Sequence, residues 1–146
     1  MIKKIQTLLT TAVLLFGMGS SSFADFNDGF DAYNKGDYKT AFNEWKPLAE
    51  QGDASAQFSL ANMYHNGRGT LKDGKEEVKW YRKAANQGHA GAQFHLALMY
   101  SFGINVLKDL SKAKYWIKKA YENPDASAST LELAEKAWNQ LELWKY

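Results

Sequence analysis

The chain contains no cysteine. That absence removes disulfides, a thiolate nucleophile, cysteine-ligated zinc and a lipid-modified cysteine at a processing site. A domain built without them holds itself by its core alone. Proline occurs only twice in 146 residues, so little interrupts a helix. A strong charge of one sign is missing as well. The formal net charge is +2, and two of the basic residues, Lys3 and Lys4, lie at the extreme N-terminus. Nucleic-acid binding needs a basic excess, so no nucleic acid is expected as a partner. Nor is the apolar stretch 5–18 long enough to span a bilayer, which takes about 20 residues.

That stretch points elsewhere. Lys3 and Lys4 precede it, and Ser22 and Ala24 occupy the minus-three and minus-one positions of a cleavage site. The pattern predicts a secretory signal peptide over residues 1–24, cleaved after Ala24, and a single domain over 25–146. A retained membrane anchor is the alternative. Cleavage would place the protein in a periplasm or outside the cell, with no stable membrane insertion afterwards. Charge is uneven along the domain. Residues 25–55 carry three Lys against seven acids, 56–123 carry eleven basic residues against five acids, and 124–146 carry two against four. A solvated helix face explains most such clusters. An acidic partner for the middle segment is the sharper alternative.

What the chain does have is an internal repeat. Ala56-Gln57-Phe58-Ser59-Leu60-Ala61-Asn62-Met63-Tyr64 returns 36 residues later as Ala92-Gln93-Phe94-His95-Leu96-Ala97-Leu98-Met99-Tyr100, with seven of nine positions identical. The same offset aligns Trp80 with Trp116, Lys83 with Lys119, Gly67 with Gly103, and Asp37 with Asp73 and Asp109. A fixed period of this length signals a stacked helical array. Ala56, Leu60, Ala61 and Tyr64 keep helical spacing, and the small alanines let two helix backbones approach closely. Gly67 ends that helix, and Gly69 has Asn105 as its counterpart, the residue that best replaces glycine in left-handed geometry. Asp73 and Asp109 are natural N-caps for a second helix, and Asp73 with Glu76 has capping-box spacing. The predicted fold is all-α: an α/α superhelical solenoid of about three helix-turn-helix repeats, near 26–53, 54–89 and 90–125, closed by a capping helix over 126–146. Such stacks need a cap because the last repeat has a bare apolar face.

These residues resemble the Sel1-like repeat family, a relative of the tetratricopeptide repeats. The family pattern is matched by Ala56, Leu60, Ala61, Tyr64, Gly67, Gly69, Asp73, Trp80, Tyr81, Lys83, Ala84, Ala85, Gln87 and Gly88. The next copy departs at Asn105, Ile117, Tyr121 and Asn123-Pro124, and the first unit, with Gly36-Asp37-Tyr38 and Ala41, looks more like a tetratricopeptide unit. The resemblance covers roughly residues 30–124. It implies a scaffold for protein complexes. Some exported members have been described as binding penicillins or cell-wall material, but those are rich in disulfides, so that activity is not carried over to a cysteine-free chain.

The residues give no catalytic constellation. Of the three histidines, His89 occupies the slot that Asp53 fills one repeat earlier, His65 lies beside Tyr64 on the outer side of a helix, and His95 is mid-helix. No metal-binding spacing links them, so no metal and no cofactor is expected. Adjacent Glu76 and Glu77 face different sides of a helix, and Gly67-Arg68-Gly69 is a helix-ending turn rather than a phosphate loop.

The expected chemistry is recognition. In helical solenoids the first helix of each pair lines the concave face, and positions that vary between copies can carry specificity. Ser59, Asn62 and Asn66 form one stripe there; His95, Leu98 and Phe102 form the same stripe one repeat on. A polar patch thus leads into an apolar one, suited to a peptide or a partner helix. Alternatively Leu98 and Phe102 fold back as core. At the C-terminus, Trp138 and Leu141 suit a cap, while Trp144 and Tyr146 are candidate partner contacts. The expectation is an exported, non-enzymatic scaffold that binds a protein. Two alternatives remain: an enzyme or binder acting on cell-wall fragments or β-lactams, and a structural subunit docking by its aromatic C-terminus.

Overall fold

The computed structural model describes residues 25–142 and Lys145. The leader expected over 1–24, and Trp144 and Tyr146, lie outside the described residues. Seven helices and no strands occur among those described: α1 (Phe26–Asn34), α2 (Tyr38–Glu50), α3 (Ala54–Asn66), α4 (Gly74–Asn86), α5 (Ala90–Phe102), α6 (Leu110–Tyr121) and α7 (Ala128–Gln140). Each packs on its chain neighbours in order, and α7 also touches α5. The result is an α/α superhelical solenoid of antiparallel pairs. Its first helices are α1, α3, α5 and α7; its second helices are α2, α4 and α6. Of the segment expected as a long cap, α7 takes residues 128–140, and the chain turns at Glu142, whose φ is 48°.

Short polar side chains start the helices. Asp53 accepts from the Ala56 N–H at 2.7 Å, and Asp109 from that of Lys112 at 2.9 Å. Asp73 accepts from both Lys75 and Glu76, each of which would otherwise lack an intrahelical partner. The rest of a capping box is not built, because Glu76 turns away to Lys79 and to the indole of Trp80. Gly67 and Gly103 close α3 and α5 at φ 69° and 71°, a left-handed conformation that avoids a Cβ clash only for glycine.

The core follows the repeat. Leu60 and Leu96 are fully buried, as are Met63 and Met99, and between them Tyr81 and Ile117 fill the spaces between helices. Alanines at close approach, among them Ala56, Ala61, Ala92 and Ala97, have essentially no exposed surface. Burial also takes in two polar side chains. Gln57 Nε2 donates to the Ala49 carbonyl at 3.0 Å, and Gln93 Nε2 donates to the Ala85 carbonyl at 3.2 Å, one period later. Those carbonyls lie at the C-terminal ends of α2 and α4, where intrahelical partners run out. Each glutamine therefore pins a first helix to the second helix before it. Gln87 donates to the Gln57 oxygen at 2.7 Å and Asn123 to the Gln93 oxygen at 3.0 Å, which satisfies the outer half of each amide.

Candidate functional site

The two stripes singled out above lie on α3 and α5, and the structure gives their members different surroundings. Ser59 is half-buried on α3. Asn62 accepts a 2.6 Å hydrogen bond from the Tyr81 hydroxyl, which ties it to α4. Asn66, at the exposed end of α3, donates to the Asn62 carbonyl one turn back at 2.8 Å. On α5, His95 lies flat on the Tyr81 ring, with centroids 5.1 Å apart and planes 3° apart. Leu98 is half-buried against the core. Phe102 is 61 % exposed at the end of α5, so it does not fold back as core.

Residues outside the two stripes complete the site. Phe58, which is identical in both copies and so reads as structural, stacks on His89 at 4.4 Å and meets Tyr81 at 5.9 Å and His95 at 5.8 Å. His89 caps α5, its Nδ1 accepting from the Ala92 N–H at 3.2 Å. The one sequence signal for this cluster is the exchange of Asp53 for His89 at a cap position. Beside the ring stack opens a cavity of about 450 Å³. It is bounded by Ala54 and Phe58 of α3, the turn from Gln87 to Gly91, and Ser127 and Thr130 at the start of α7.

The electrostatics favour neutral rings. Burial lowers the pKa of His95, and the neighbouring His65 and His89 lower it further. Burial also lowers that of His89. Burial and the Glu77 charge raise that of Tyr81, which keeps its hydroxyl a donor to Asn62. A neutral aromatic shelf with hydroxyls on the far wall can take an apolar side chain and hydrogen-bond its backbone. His65 stands apart, 2.8 Å from the Glu77 carboxylate. No group of three or more His, Cys, Asp or Glu that could hold a metal occurs among the described residues.

A second hollow, about 480 Å³, runs between α6 and α7. Ile117, Tyr121, Ala134 and Trp138 line it, with the Lys114 ammonium 5.7 Å from the centre of the Trp138 ring. No helix long and apolar enough to cross a membrane occurs among the described residues.

Comparison with known proteins agrees with this architecture. The Sel1 repeat family matches residues 54–89 and 90–125. A Sel1 repeat protein from Oxalobacter formigenes superposes with a TM-score of 0.68 at 33 % identity, covering 82 % of this chain and 47 % of that one. A protective antigen of uropathogenic Escherichia coli strains with an SLR fold superposes with a TM-score of 0.64 at 28 % identity, covering 82 % of this chain and 31 % of that one. The exopolysaccharide production negative regulator of Rhizobium leguminosarum bv. viciae is 37 % identical over 62 residues, which is 42 % of this chain and 23 % of the regulator. The chain thus spans under half the length of each of these three proteins. Sel1 repeats typically mediate protein–protein interaction, and the chain is a Sel1-repeat protein, with two such repeats in tandem over residues 54–125.

Proposed function

We propose that this protein is an exported scaffold that binds a peptide or helix of a protein partner on the face made by α3, α5 and the start of α7, without catalysis. One observation carries the reading. Phe58 and His89, stacked on each other and with His95 against Phe58, border a cavity of about 450 Å³. Apart from Phe58, the identical positions of this stretch hold helices together, whereas Ser59 against His95 and Asn62 against Leu98 change the chemistry offered from one repeat to the next. A binding role, rather than a reaction, also suits the regulator named among its relatives. Export rests on the signal-peptide pattern of residues 1–24, with a periplasmic or secreted destination.

Affinity capture from the producing cell's envelope tests the reading. The unaltered chain should retain a defined partner. Phe58→Ala, and separately Leu98→Asp with Phe102→Asp, should release it while helical circular dichroism is kept. Capture that survives both changes would move the site elsewhere. Turnover of peptidoglycan or a reporter β-lactam, abolished by His95→Ala, would replace the scaffold by an enzyme. For export, the N-terminal mass of the protein recovered outside the cytoplasm should begin at Asp25.

A further inference from the structure

Three of the turns in this stack lie along one edge, where first helices end and second helices begin. Two of them, Gly67 to Asp73 and Gly103 to Asp109, carry a leucine at the same repeat position. Leu71 is 87 % exposed and Leu107 is 91 % exposed. Isolated apolar side chains on a surface are ordinary. A nearly bare leucine recurring at the repeat period is not an isolated one. Ile104 and Phe102 stand exposed on the same edge. Together these are four of the eight large apolar side chains exposed among the described residues, whereas the opposite edge carries Tyr121.

The charge on this edge is matched to its apolar tips. Each leucine is followed by a lysine, Lys72 or Lys108, and Arg68, Lys75 and Lys112 lie close by in sequence. The acids within the two turns are Asp73 and Asp109; each caps a helix, and Asp109 also pairs with Lys112 at 3.0 Å. The opposite edge holds Glu50, Asp53, Glu122 and Asp125, offset by Lys83, Lys118 and Lys119 in the last turns of α4 and α6. The molecule therefore presents one edge where bare apolar tips stand among basic side chains, and an opposite edge of mixed charge.

These turns are held in place. The Asp109 N–H donates to the Tyr100 carbonyl at 2.9 Å, and Asn105 donates to Glu77 at 2.9 Å. A Cβ on Gly69 would lie 2.1 Å from the Tyr38 carbonyl oxygen, so that turn sits directly on the start of α2. The leucines project from braced loops rather than line a concavity. A hollow on this edge, bounded by Lys72, Asp73, Gly74, Lys75 and Asn105, takes in none of the four apolar side chains.

We propose that this edge docks on an anionic lipid surface, with Leu71, Phe102, Ile104 and Leu107 entering the headgroup boundary and the lysines meeting lipid phosphates. A bilayer boundary accepts a row of projecting apolar tips without needing a matched pocket for each, and its negative potential attracts adjacent lysines. Docking by this edge uses Phe102 at the end of α5 and leaves free the cavity beside Phe58 and His89, at the other end of α3 and α5.

Vesicle co-sedimentation of the full chain tests this. Vesicles of phosphatidylcholine with phosphatidylglycerol should bind it, and vesicles of phosphatidylcholine alone should not. Lys72→Glu with Lys108→Glu should lower the partition by at least about tenfold, and so should Leu71→Asp with Leu107→Asp, with circular dichroism unchanged. Because the chain has no cysteine, single labels report the edge directly. An environment-sensitive dye at Leu107→Cys should shift to the blue on anionic vesicles, while the same dye at Glu50→Cys should not. Equal binding to neutral vesicles, equal shifts at both labels, or variants that bind unchanged would overturn the proposal. So would failure on anionic vesicles together with polyglutamate binding that protects the 107 label, which would assign the edge to an acidic protein.

Discussion

Asn105 lays its side-chain amide against the carboxylate of Glu77, Nδ2 to Oε2 at 2.9 Å, across 28 positions of sequence. Glu77 is 4 % exposed, and its other oxygen lies 2.8 Å from His65. The corresponding positions one repeat to either side are Ala41 and Ala113, both fully buried. The carboxylate is thus a local departure from the repeat, and Asn105 and His65 are what it requires. Asn105→Gly keeps the left-handed turn and removes the bond, so it should cost about 1–3 kcal/mol in urea unfolding. With Glu77→Ala in the background the loss should shrink to a few tenths. An unchanged loss would mean that the bond contributes nothing.

The buried glutamines make a second expectation. Gln57→Leu removes the 3.0 Å bond to the Ala49 carbonyl, which keeps the Gly52 N–H at 3.1 Å, and takes the acceptor from the exposed Gln87 amide. Gln93→Leu removes the matching bonds to the Ala85 carbonyl and from Asn123, which keep the Gly88 N–H at 3.0 Å and the Gly88 carbonyl at 2.6 Å respectively. Each change should lower the unfolding free energy by about 1–3 kcal/mol despite added apolar volume. A more stable leucine variant would show that packing outweighs the lost bonds.

Two turn glycines with similar φ separate conformation from space. Gly36, at φ +81°, has nothing within 4 Å of a Cβ position, whereas at Gly69, at φ +71°, that Cβ would lie 2.1 Å from the Tyr38 carbonyl oxygen. Gly36→Ala should cost about 1–2 kcal/mol, the left-handed penalty alone. Gly69→Ala should cost clearly more, since backbone is what it strikes. Paired thermal melts check the order.

Stability should fall with acid through the histidines. Burial lowers the pKa of both His89 and His95 in the folded state. The unfolded chain therefore binds protons first. The contribution is complete above the unfolded histidine pKa of about 6.5 and declines as pH drops below it. The lowered carboxyls of Asp37, Asp109 and Glu132 act only at still lower pH. Melting temperature should thus drop between about pH 7 and pH 5. His95→Ser, the residue of the preceding repeat, should flatten that slope. A slope unchanged by His95→Ser would remove His95 from the account.

The repeat made the fold legible because helical periodicity and cap residues act locally. Asn105 in place of Gly69 is readable in that way, and its φ is 56°. The candidate face was less legible, because its chemistry depends on partners far along the chain. Asn62 is polar for Tyr81, 19 residues on, and not only for a ligand. Phe58 repeats as Phe94, yet Phe58 meets His89 and His95, and that meeting exists only once the helices stack. Asn123 breaks the family pattern at the position of Gln87, but a shorter amide still reaches the glutamine oxygen. A mismatch in letters there hides a match in bonding.

The paired glutamine bonds have a consequence for building longer chains. The joint between α2 and α3 is made by Gln57 on the Ala49 carbonyl, and the joint between α4 and α5 by Gln93 on the Ala85 carbonyl, both spanning eight residues. A first helix therefore finds the same socket at the end of either second helix. A duplicate of residues 54–89 spliced in after Gly88 and His89 would arrive with its own plug and leave its own socket for the next. The array is extensible by whole periods, and each inserted period should raise helical signal and melting temperature together.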